Sequence, residues 1–330
     1  MGSYSNGQSS FTLVEHWNGT QWAVVASPNV AGSTSDELLS VVAVTANDIW
    51  AVGDSSNMQK TLIEHWNGAQ WAVVASPNFS PTGNSLASIS IDSATDIWAV
   101  GTTTSTSSSS GYQPLIELWN GTTWSISSSP VLSGRLFSVV AIKSNDVWAV
   151  GADIMPNVTD TLIEHWNGAQ WSTVSGANPG AASNSLNAVV NVTGGNIWAA
   201  GDYSNSVGPK ADYTPLVEYW NGSKWGALNS PLQGTSDLIN GMATSSSSDI
   251  TIVGDYRAGI DPMGPYYTLV EHWNGTLWSV VNSPSPGSIT SDLLAAANVA
   301  NSGAAWAVGS TYGLNSGQNN IYQTLTEFHC

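Results

Sequence analysis

Short runs of alternating apolar and polar residues dominate the chain, and none has the three-to-four-residue spacing of an amphipathic helix. Four such runs follow one another between residues 38 and 77: LLSVVAV, DIWAVG, TLIEHW and WAVVASP. Gly, Pro, Asn and Ser separate the runs, which is typical of strand boundaries. The pattern predicts four antiparallel strands, strands one to four of a repeat unit, with strands three and four joined at Asn-Gly by a type I′ hairpin.

The four-strand unit recurs along the whole chain. The Trp of Trp-Asn-Gly stands at 17, 66, 119, 166, 220 and 273, so successive copies lie 47 to 54 residues apart. The eleven residues TLIEHWNGAQW occur identically at 61–71 and 161–171. A single small sheet cannot bury both of its faces, so repetition at this period predicts sheets that pack against one another.

The repeat predicts an all-β fold, a β-propeller of four-stranded antiparallel blades in one domain spanning 1–330. Six blades are favoured, with the ring closed by the N- and C-terminal strands. Because Met1-Gly2 aligns with the Val-Gly that ends strand two, a seven-bladed parent truncated at its N-terminus is the alternative. The expected blades are 38–79, 86–130, 136–177, 186–231, 238–284, and a closing blade of 293–328 plus 11–27.

Tryptophan occupies three positions of the repeat, on strands two, three and four. Ordered repetition predicts that the indoles fill the space between blades, because a stacked repeat core needs the same filling at every interface. A sugar-stacking array is the alternative, and it would favour irregular placement on loops. The structural set includes Trp50, Trp66, Trp71, Trp98, Trp148, Trp166 and Trp171, whereas Thr251 replaces Trp in the fifth unit.

The segments DIWAVG and EHWNGxxW resemble the second half of a Kelch repeat, the repeat also found in the central domain of galactose oxidase. This chain has one Gly where that pattern has two, and Trp where it has Tyr. The resemblance covers nearly the whole chain and implies a propeller. It implies little about activity, because propellers with Kelch repeats serve as enzymes, adhesins and adaptors.

Charge is scarce and mostly negative, with six Lys and Arg against 23 Asp and Glu and a formal net charge of −17. This balance argues against nucleic acid and anionic membrane surfaces as partners. No apolar run is long enough to insert into a membrane. Cys330 is the only cysteine, so an internal disulfide or a cysteine metal site is excluded. We expect no cofactor and no metal. The low lysine content and abundant Ser, Thr and Asn favour an extracellular or cell-surface protein, although no signal peptide stands at Met1.

Long connections between strands two and three and between strands four and one share one face of the predicted ring, and loops on a rigid scaffold commonly carry binding sites. Tyrosines and acids concentrate there, which is typical of a neutral-sugar surface. Covering the ends of the blades is the alternative role. The candidate ligand-binding residues are Tyr112, Asp202, Tyr203, Tyr213, Asp255, Tyr256, Arg257, Tyr266, Tyr267, Tyr312 and Tyr322.

A glutamate holds one position of strand three in every copy, whereas a catalytic acid need occur only once. We expect these carboxylates to be structural and to accept hydrogen bonds from backbone or indole N–H groups: Glu15, Glu64, Glu117, Glu164, Glu218 and Glu271. The following His varies to Leu118 and Tyr219, which disfavours a metal ligand or a general base. The Asp that opens DIWAVG is expected to cap the turn between strands one and two. No residue is assigned a catalytic role.

These observations favour a non-enzymatic extracellular binding protein that recognises a glycan or a surface partner through the face with long loops. The first alternative is a structural protein that self-assembles by donating a surplus third strand, 12–17 or 323–328. The second alternative is a hydrolase or lyase with a site in a central pocket.

Overall fold

The computed structural model describes residues 1–192, 195–206, 208, 211–259, 261, 264–299, 304–314 and 320–329. Cys330 lies outside the described residues. Two compact units divide the chain: unit 1 comprises 1–156 and 162–174, and unit 2 comprises 157–161 and 175–330. No residue in the described ranges is helical.

Unit 1 holds the first four sheets. Its strands are β1 (Gly2–Ser5), β2 (Ser10–Trp17), β3 (Trp22–Val25), β4 (Asp36–Thr45), β5 (Asp48–Ser55), β6 (Lys60–Trp66), β7 (Trp71–Val73), β8 (Asn84–Ser93), β9 (Asp96–Thr104), β10 (Tyr112–Trp119), β11 (Trp124–Ile126), β12 (Arg135–Lys143), β13 (Asp146–Ile154), β14 (Thr159–Trp166) and β15 (Trp171–Thr173). The first three residues of β14 belong to unit 2.

Unit 2 holds the remaining strands. They are β16 (Ser183–Val192), β17 (Asn196–Ser204), β18 (Thr214–Trp220), β19 (Trp225–Leu228), β20 (Ser236–Ser246), β21 (Asp249–Arg257), β22 (Tyr266–Trp273), β23 (Trp278–Val280), β24 (Thr290–Asn298), β25 (Ala305–Leu314) and β26 (Asn320–His329).

The strands form antiparallel meanders of neighbouring segments. Five of these meanders, called sheets below, have four strands: β4–β7, β8–β11, β12–β15, β16–β19 and β20–β23. A single parallel bridge, Thr159–Ser183, joins β14 to β16, and another, Tyr266–Thr290, joins β22 to β24. Sheet β1–β3 has strands two to four of the repeat, and β24–β26 has strands one to three. The predicted fold class is therefore confirmed: the chain is all-β, of the β-propeller class. The ring closure, the number of blades and the joining of 293–328 with 11–27 stay predictions.

The two candidate surplus strands differ in their pairing. Segment 12–17 lies in β2, which is hydrogen-bonded to β1 on one side and to β3 on the other. Segment 323–328 lies in β26, which pairs with β25 and with no other strand of the described residues. Self-association through either segment stays a prediction.

Strand two has a glycine after its central residues, because the backbone of strand one lies too close to leave room for a side chain. A Cβ on Gly53 would lie 2.0 Å from the carbonyl oxygen of Glu37, and one on Gly201 would lie 2.1 Å from that of Ser185. Gly2 holds the same register, since it pairs with Leu13 as Gly53 pairs with Leu62, but nothing lies within 4 Å of its Cβ position.

The turn between strands three and four differs from the expected type I′ hairpin. That turn needs positive φ at both central residues. Gly19 and Gly68 have φ of +96° and +89°, but the Asn before each does not have a positive φ. The Asn side chain instead accepts the N–H groups two and three residues later, as Asn18 does from Thr20 and Gln21, both at 3.0 Å. A side-chain cap therefore replaces the second positive φ.

The backbone position at the start of strand three avoids an unpaired N–H group in two ways. Thr61 donates its N–H to Oδ1 of Asn78 at 2.9 Å, and Thr161 donates to Asn178 at 2.7 Å. Pro215 stands at this position in β18 and has no N–H, and Leu232 replaces the capping Asn there. These four-strand repeats therefore have both the backbone N–H and its side-chain acceptor at this position, or have neither. A buried backbone N–H needs a hydrogen-bond partner, so the two change together.

Buried tryptophans join neighbouring sheets within each unit. The strand-two indole of one sheet packs on the strand-three and strand-four indoles of the next. The centroid of Trp50 lies 4.9 Å from that of Trp119 and 5.7 Å from that of Trp124. In unit 2, Trp198 lies 5.5 Å from Trp273 and 6.2 Å from Trp278. Trp71, Trp98, Trp148 and Trp171 are also buried, whereas Trp66 and Trp166 on strand three are half-buried and only partly fill the core.

Candidate functional site

In its first half, strand one of every four-stranded sheet skips one residue in its pairing with strand two. The skipped residue is a bulge that turns its side chain out of the ladder. In unit 1 it is apolar: Leu39, Ala87 and Phe137. In sheets β16–β19 and β20–β23 of unit 2 it is Asn187 and Asn240.

Each bulge asparagine links the end of strand two to the next sheet. Nδ2 of Asn187 donates to Asp202 at 3.0 Å and to the carbonyl oxygen of Ile239 at 2.7 Å. Nδ2 of Asn240 donates to Asp255 at 3.1 Å and to the carbonyl oxygen of Leu293 at 3.0 Å.

Asp292 follows in the next sheet and accepts hydrogen bonds from Ser310. We call Asn187, Asp202, Asn240, Asp255 and Asp292 the acid–amide track.

Burial raises the pKa of the acids in the track. The pKa of Asp202 rises to about 7, although the Asn187 hydrogen bond lowers it, and the charge of Asp255 raises it further. Burial raises the pKa of Asp255 to about 6, with the Asn240 hydrogen bond opposing and Asp292 and Asp237 adding. Near neutral pH these carboxyl groups are partly protonated, so they can both donate and accept hydrogen bonds.

Tyrosines stand beside this track. Burial raises the pKa of Tyr213, and the charges of Asp202 and Tyr266 raise it further. The rings of Tyr256 and Tyr267 are neighbours across β21 and β22, with centroids 5.4 Å apart.

Tyr203 follows Asp202 in β17 and is half-buried. The structure thus brings seven of the eleven sequence candidates to adjacent strand ends of two neighbouring sheets: Asp202, Tyr203, Tyr213, Asp255, Tyr256, Tyr266 and Tyr267.

The other four candidates have different surroundings. Arg257 is 3% exposed and donates to Asp212, so its charge is compensated within the protein. Tyr312 and Tyr322 form their own stacked pair on β25 and β26, with centroids 4.5 Å apart. Tyr112 lies in unit 1 under the guanidinium group of Arg135.

The repeated glutamates are buried between sheets, except Glu15, which is half-buried. Glu64 accepts from the hydroxyl of Ser27 at 2.5 Å, and Glu164 accepts from that of Ser129 at 2.6 Å. Ser230 donates likewise to Glu271, and the backbone N–H of Ala177 donates to Glu218 at 2.9 Å. The donors are therefore mostly Ser-Pro hydroxyls from the preceding sheet rather than the expected indoles.

Each buried glutamate keeps an oxygen without a hydrogen-bond partner, and Glu117 has none on either oxygen. Burial raises the pKa of Glu64, Glu164, Glu218 and Glu271 to about 7, and that of Glu117 to about 8. These groups lie inside the sheets, so their perturbed pKa values do not mark a site open to a ligand.

The Asp before strand two has a different partner from the one expected. Asp48 accepts the indole N–H of Trp50 at 3.0 Å and lies 2.8 Å from Nε2 of His65, whose ring stacks on Trp50. The hydroxyl of Thr45 accepts the turn N–H of Asn47. The Asp therefore joins two strands instead of capping the turn. Asp146 and Asp249 contact His165 and His272 in the same way.

The two bulge asparagines are absent from the candidates that the sequence selects. Asn187 and Asn240 sit in the runs LNAVV and INGMA, which were interpreted only as apolar strands. The available signal was the departure from an apolar residue at a repeated position, as Leu39 and Ala87 show in unit 1. Arg135 is not among the candidates that the sequence selects.

Comparison with known proteins identifies a fold and no family. No protein-family model matches the chain, and no curated protein matches it. An ulvan lyase, a polysaccharide lyase, is similar over 86% of this chain and 82% of its own, with a TM-score of 0.53 and 12% identity. YCF48 from Cyanidioschyzon merolae is similar over 87% of this chain and 84% of its own, with a TM-score of 0.50 and 16% identity.

A six-bladed fucose-binding lectin from Aleuria aurantia covers 88% of this chain and 94% of its own, with a TM-score of 0.47 and 12% identity. These likenesses bear on the fold alone. They do not confirm the Kelch-like assignment.

The similarity to a polysaccharide lyase corrects one expectation. The sequence favoured a non-enzymatic protein, with a hydrolase or lyase as an alternative, but an enzyme shares this fold, so the architecture gives no ground for preferring the non-enzymatic interpretation. Within the described residues, no group of three or more His, Cys, Asp or Glu side chains could hold a metal ion. No helix in the same ranges is long and apolar enough to cross a membrane.

Proposed function

We propose that unit 2 binds a neutral glycan through the acid–amide track and its adjacent tyrosines. The observation that carries the proposal is the repetition of one polar device on two neighbouring sheets. Asn187–Asp202 and Asn240–Asp255 have the same geometry and hydrogen-bond the backbone of the following sheet. Rigid support of this kind is what a binding site needs to hold its polar groups in place.

The chemistry of the site matches that of sugar hydroxyl groups. A hydroxyl is both a donor and an acceptor, and partly protonated carboxyl groups beside amides can complement both roles. Tyr213, which precedes β18, and Tyr266, which begins β22, add phenol hydroxyls. The paired rings of Tyr256 and Tyr267 offer apolar faces with little conformational entropy to lose.

The proposal extends to location and partner. A glycan ligand agrees with an extracellular or cell-surface protein that has few lysines and many Ser, Thr and Asn residues. A protein surface partner is the alternative occupant of the same residues, and the scarcity of positive charge disfavours nucleic acid.

A glycan array tests the proposal. The wild-type chain should bind one class of neutral glycans. Asn187→Ala, which installs the residue that Ala87 provides in unit 1, should lower the affinity about tenfold, since one oriented polar group is lost. Asp202→Asn should also weaken binding. Tyr219→Phe, on strand three at the far end of the same sheet, is the matched control and should bind as the wild type does.

Two outcomes count against the proposal. One is that neutral glycans are absent from the hits while the chain remains folded. The other is that Asn187→Ala binds the same glycans with wild-type affinity.

A further inference from the structure

One sheet of unit 1 has a cation at a register where the other four-stranded sheets have none. Arg135 begins β12 directly opposite Ala152, the residue after the strand-two glycine. The residues at the same register of strand one are Glu37, Ser85, Ser185 and Leu238 in the other four-stranded sheets. The residue that each of them faces is Asp54, Thr102, Asp202 and Asp255, respectively.

No carboxylate of the described residues forms an ion pair with Arg135. Its Nε is buried and has no hydrogen-bond partner. The contact that the structure does show is with an aromatic ring: the guanidinium carbon lies 3.8 Å from the centroid of Tyr112. Arg257, the other arginine, does form an ion pair, with Asp212.

The segment around Tyr112 is held by its backbone and is rich in hydroxyl groups. The carbonyl oxygen of Tyr112 accepts from the N–H of Gly134 at 3.1 Å and from the hydroxyls of Ser108 and Ser110 at 2.5 and 3.1 Å. Ser133 in turn donates to Ser110 at 3.0 Å. The aromatic platform under the guanidinium is therefore anchored, which fixes the plane of the cation.

We propose that Arg135, stacked on Tyr112, binds the carboxylate of an acidic sugar residue, a uronic acid. A stacked guanidinium keeps its edge available for two parallel hydrogen bonds to a carboxylate. The neighbouring serines Ser108, Ser110 and Ser133 supply partners for sugar hydroxyls. A uronate carries one charge per residue, whereas an acidic peptide carrying several charges would meet repulsion from the net charge of −17.

This subsite lies in unit 1 and is independent of the neutral-glycan site proposed in unit 2. The test is NMR titration of the full chain with glucuronate and, separately, with glucose as the neutral counterpart. Glucuronate should bind and glucose should not shift the Arg135 and Tyr112 signals. Raising the salt concentration should weaken glucuronate binding.

Variants assign the binding to these residues. Arg135→Ala should lower the glucuronate affinity at least tenfold, and Tyr112→Leu should also lower it, whereas Tyr112→Phe should stay within twofold of the wild type. Lys143→Ala is the matched control, because it removes the same charge from the opposite end of β12, where the side chain is 61% exposed. Its affinity should remain within twofold.

Arg135→Lys separates a loss of binding from a loss of folding. Lysine keeps the positive charge but cannot form two parallel hydrogen bonds to a carboxylate. This variant should bind glucuronate at least threefold more weakly, with an unchanged melting temperature. Asn187→Ala should leave glucuronate binding intact, so the two sites fail separately. Equal binding of glucose, an unchanged affinity in folded Arg135→Ala, or tighter binding of an Asp-Glu peptide than of glucuronate would overturn the proposal.

Discussion

Units 1 and 2 are built from the same four-strand repeat but differ at the bulge of strand one. Sheets β8–β11 and β12–β15 of unit 1 also differ at the end of strand two, whereas Asp54 in β5 matches Asp202 and Asp255. Unit 2 has Asn187 paired with Asp202 and Asn240 paired with Asp255. Unit 1 has apolar bulges, and Thr102 and Ala152 at two of its strand-two ends. The difference shows that the bulge of strand one, whose side chain leaves the strand ladder, can change from apolar to polar without altering the repeat.

The positions that do not vary are those that sheet packing fixes. The strand-two glycine, the strand-three glutamate and the strand-four tryptophan recur in both units because each meets the same neighbours. Substitutions at these shared positions should therefore affect the two units alike, whereas substitutions at the variable positions should separate them.

The largest effect is expected at the strand-two glycine. Gly53→Ala in unit 1 and Gly201→Ala in unit 2 place a Cβ about 2 Å from a backbone carbonyl oxygen, so each should cost about 3 kcal/mol or more of unfolding free energy. Denaturation in guanidinium chloride measures the loss. Gly2→Ala is the control at the same register and should stay within about 0.5 kcal/mol of the wild type. Wild-type stability in Gly53→Ala would refute the close approach.

The strand-three glutamate should make stability depend on pH in both units. The folded pKa of Glu64 and of Glu271 is about 7, above the ordinary value of 4.5, so the folded state binds the proton more tightly. The contribution of each residue is therefore greatest below about pH 4.5 and declines as the pH rises to about 7, by about 1–3 kcal/mol. Thermal melting across this range measures the decline.

Glu64→Gln and Glu271→Gln should each flatten this pH profile because the amide does not ionise. Glu64→Ala should lower stability at pH 5 by about 2 kcal/mol, since it leaves a cavity and the Ser27 hydroxyl unpaired. Unchanged melting of Glu64→Ala would contradict a structural role for the carboxylate.

Removing the Asn side chain that caps the start of strand three should cost an intermediate amount of unfolding free energy. Asn78→Ala in unit 1 and Asn178→Ala in unit 2 each leave a threonine N–H without its acceptor, for about 1–2 kcal/mol. Leu232→Asn is the control, because Pro215 offers no N–H and the new amide gains nothing. Urea denaturation of the three variants should show two losses and one unchanged value; a gain in Leu232→Asn would refute the pairing.

The smallest effect, and the one that separates the units, concerns the histidine of strand three. His165→Leu removes a contact with Asp146 and a stack on Trp148, whose centroid lies 4.2 Å away, for about 1 kcal/mol. His272→Leu removes only the contact with Asp249, since Thr251 replaces the indole, for about 0.5 kcal/mol. Equal losses in calorimetry would show that the stack contributes nothing.

Several elements could be predicted from single segments. The antiparallel pairing of DIWAVG with TLIEHW follows from alternation and turn residues, and the structure has that register, with Trp50 opposite His65. The hairpin type was wrong because the Asn side chain caps the turn, an interaction that residue preferences for φ do not encode. The donor to Glu64 was also missed, since Ser27 is 37 residues away in another sheet.

The candidate site was predictable in part. Loop tyrosines and acids selected Asp202, Tyr203, Asp255 and Tyr256, which stand at the ends of β17 and β21 in two neighbouring sheets, and their role in binding stays a prediction. The same composition also selected Arg257, whose buried pairing with Asp212 gives it a different environment. Residue type could not distinguish a compensated arginine from Arg135, because the distinction depends on which carboxylate lies near each one.

The sequence by itself determined the strands, their order within each sheet and the positions that must be buried, because alternation, turn residues and a 47–54-residue period are local properties of the chain. Only the tertiary structure decided that Asn187 reaches both Asp202 and the backbone of the next sheet, and that Arg135 stacks on Tyr112 and forms no ion pair within the described residues. Those contacts depend on a one-residue bulge and on the packing of separate sheets, and neither leaves a periodic trace in the sequence.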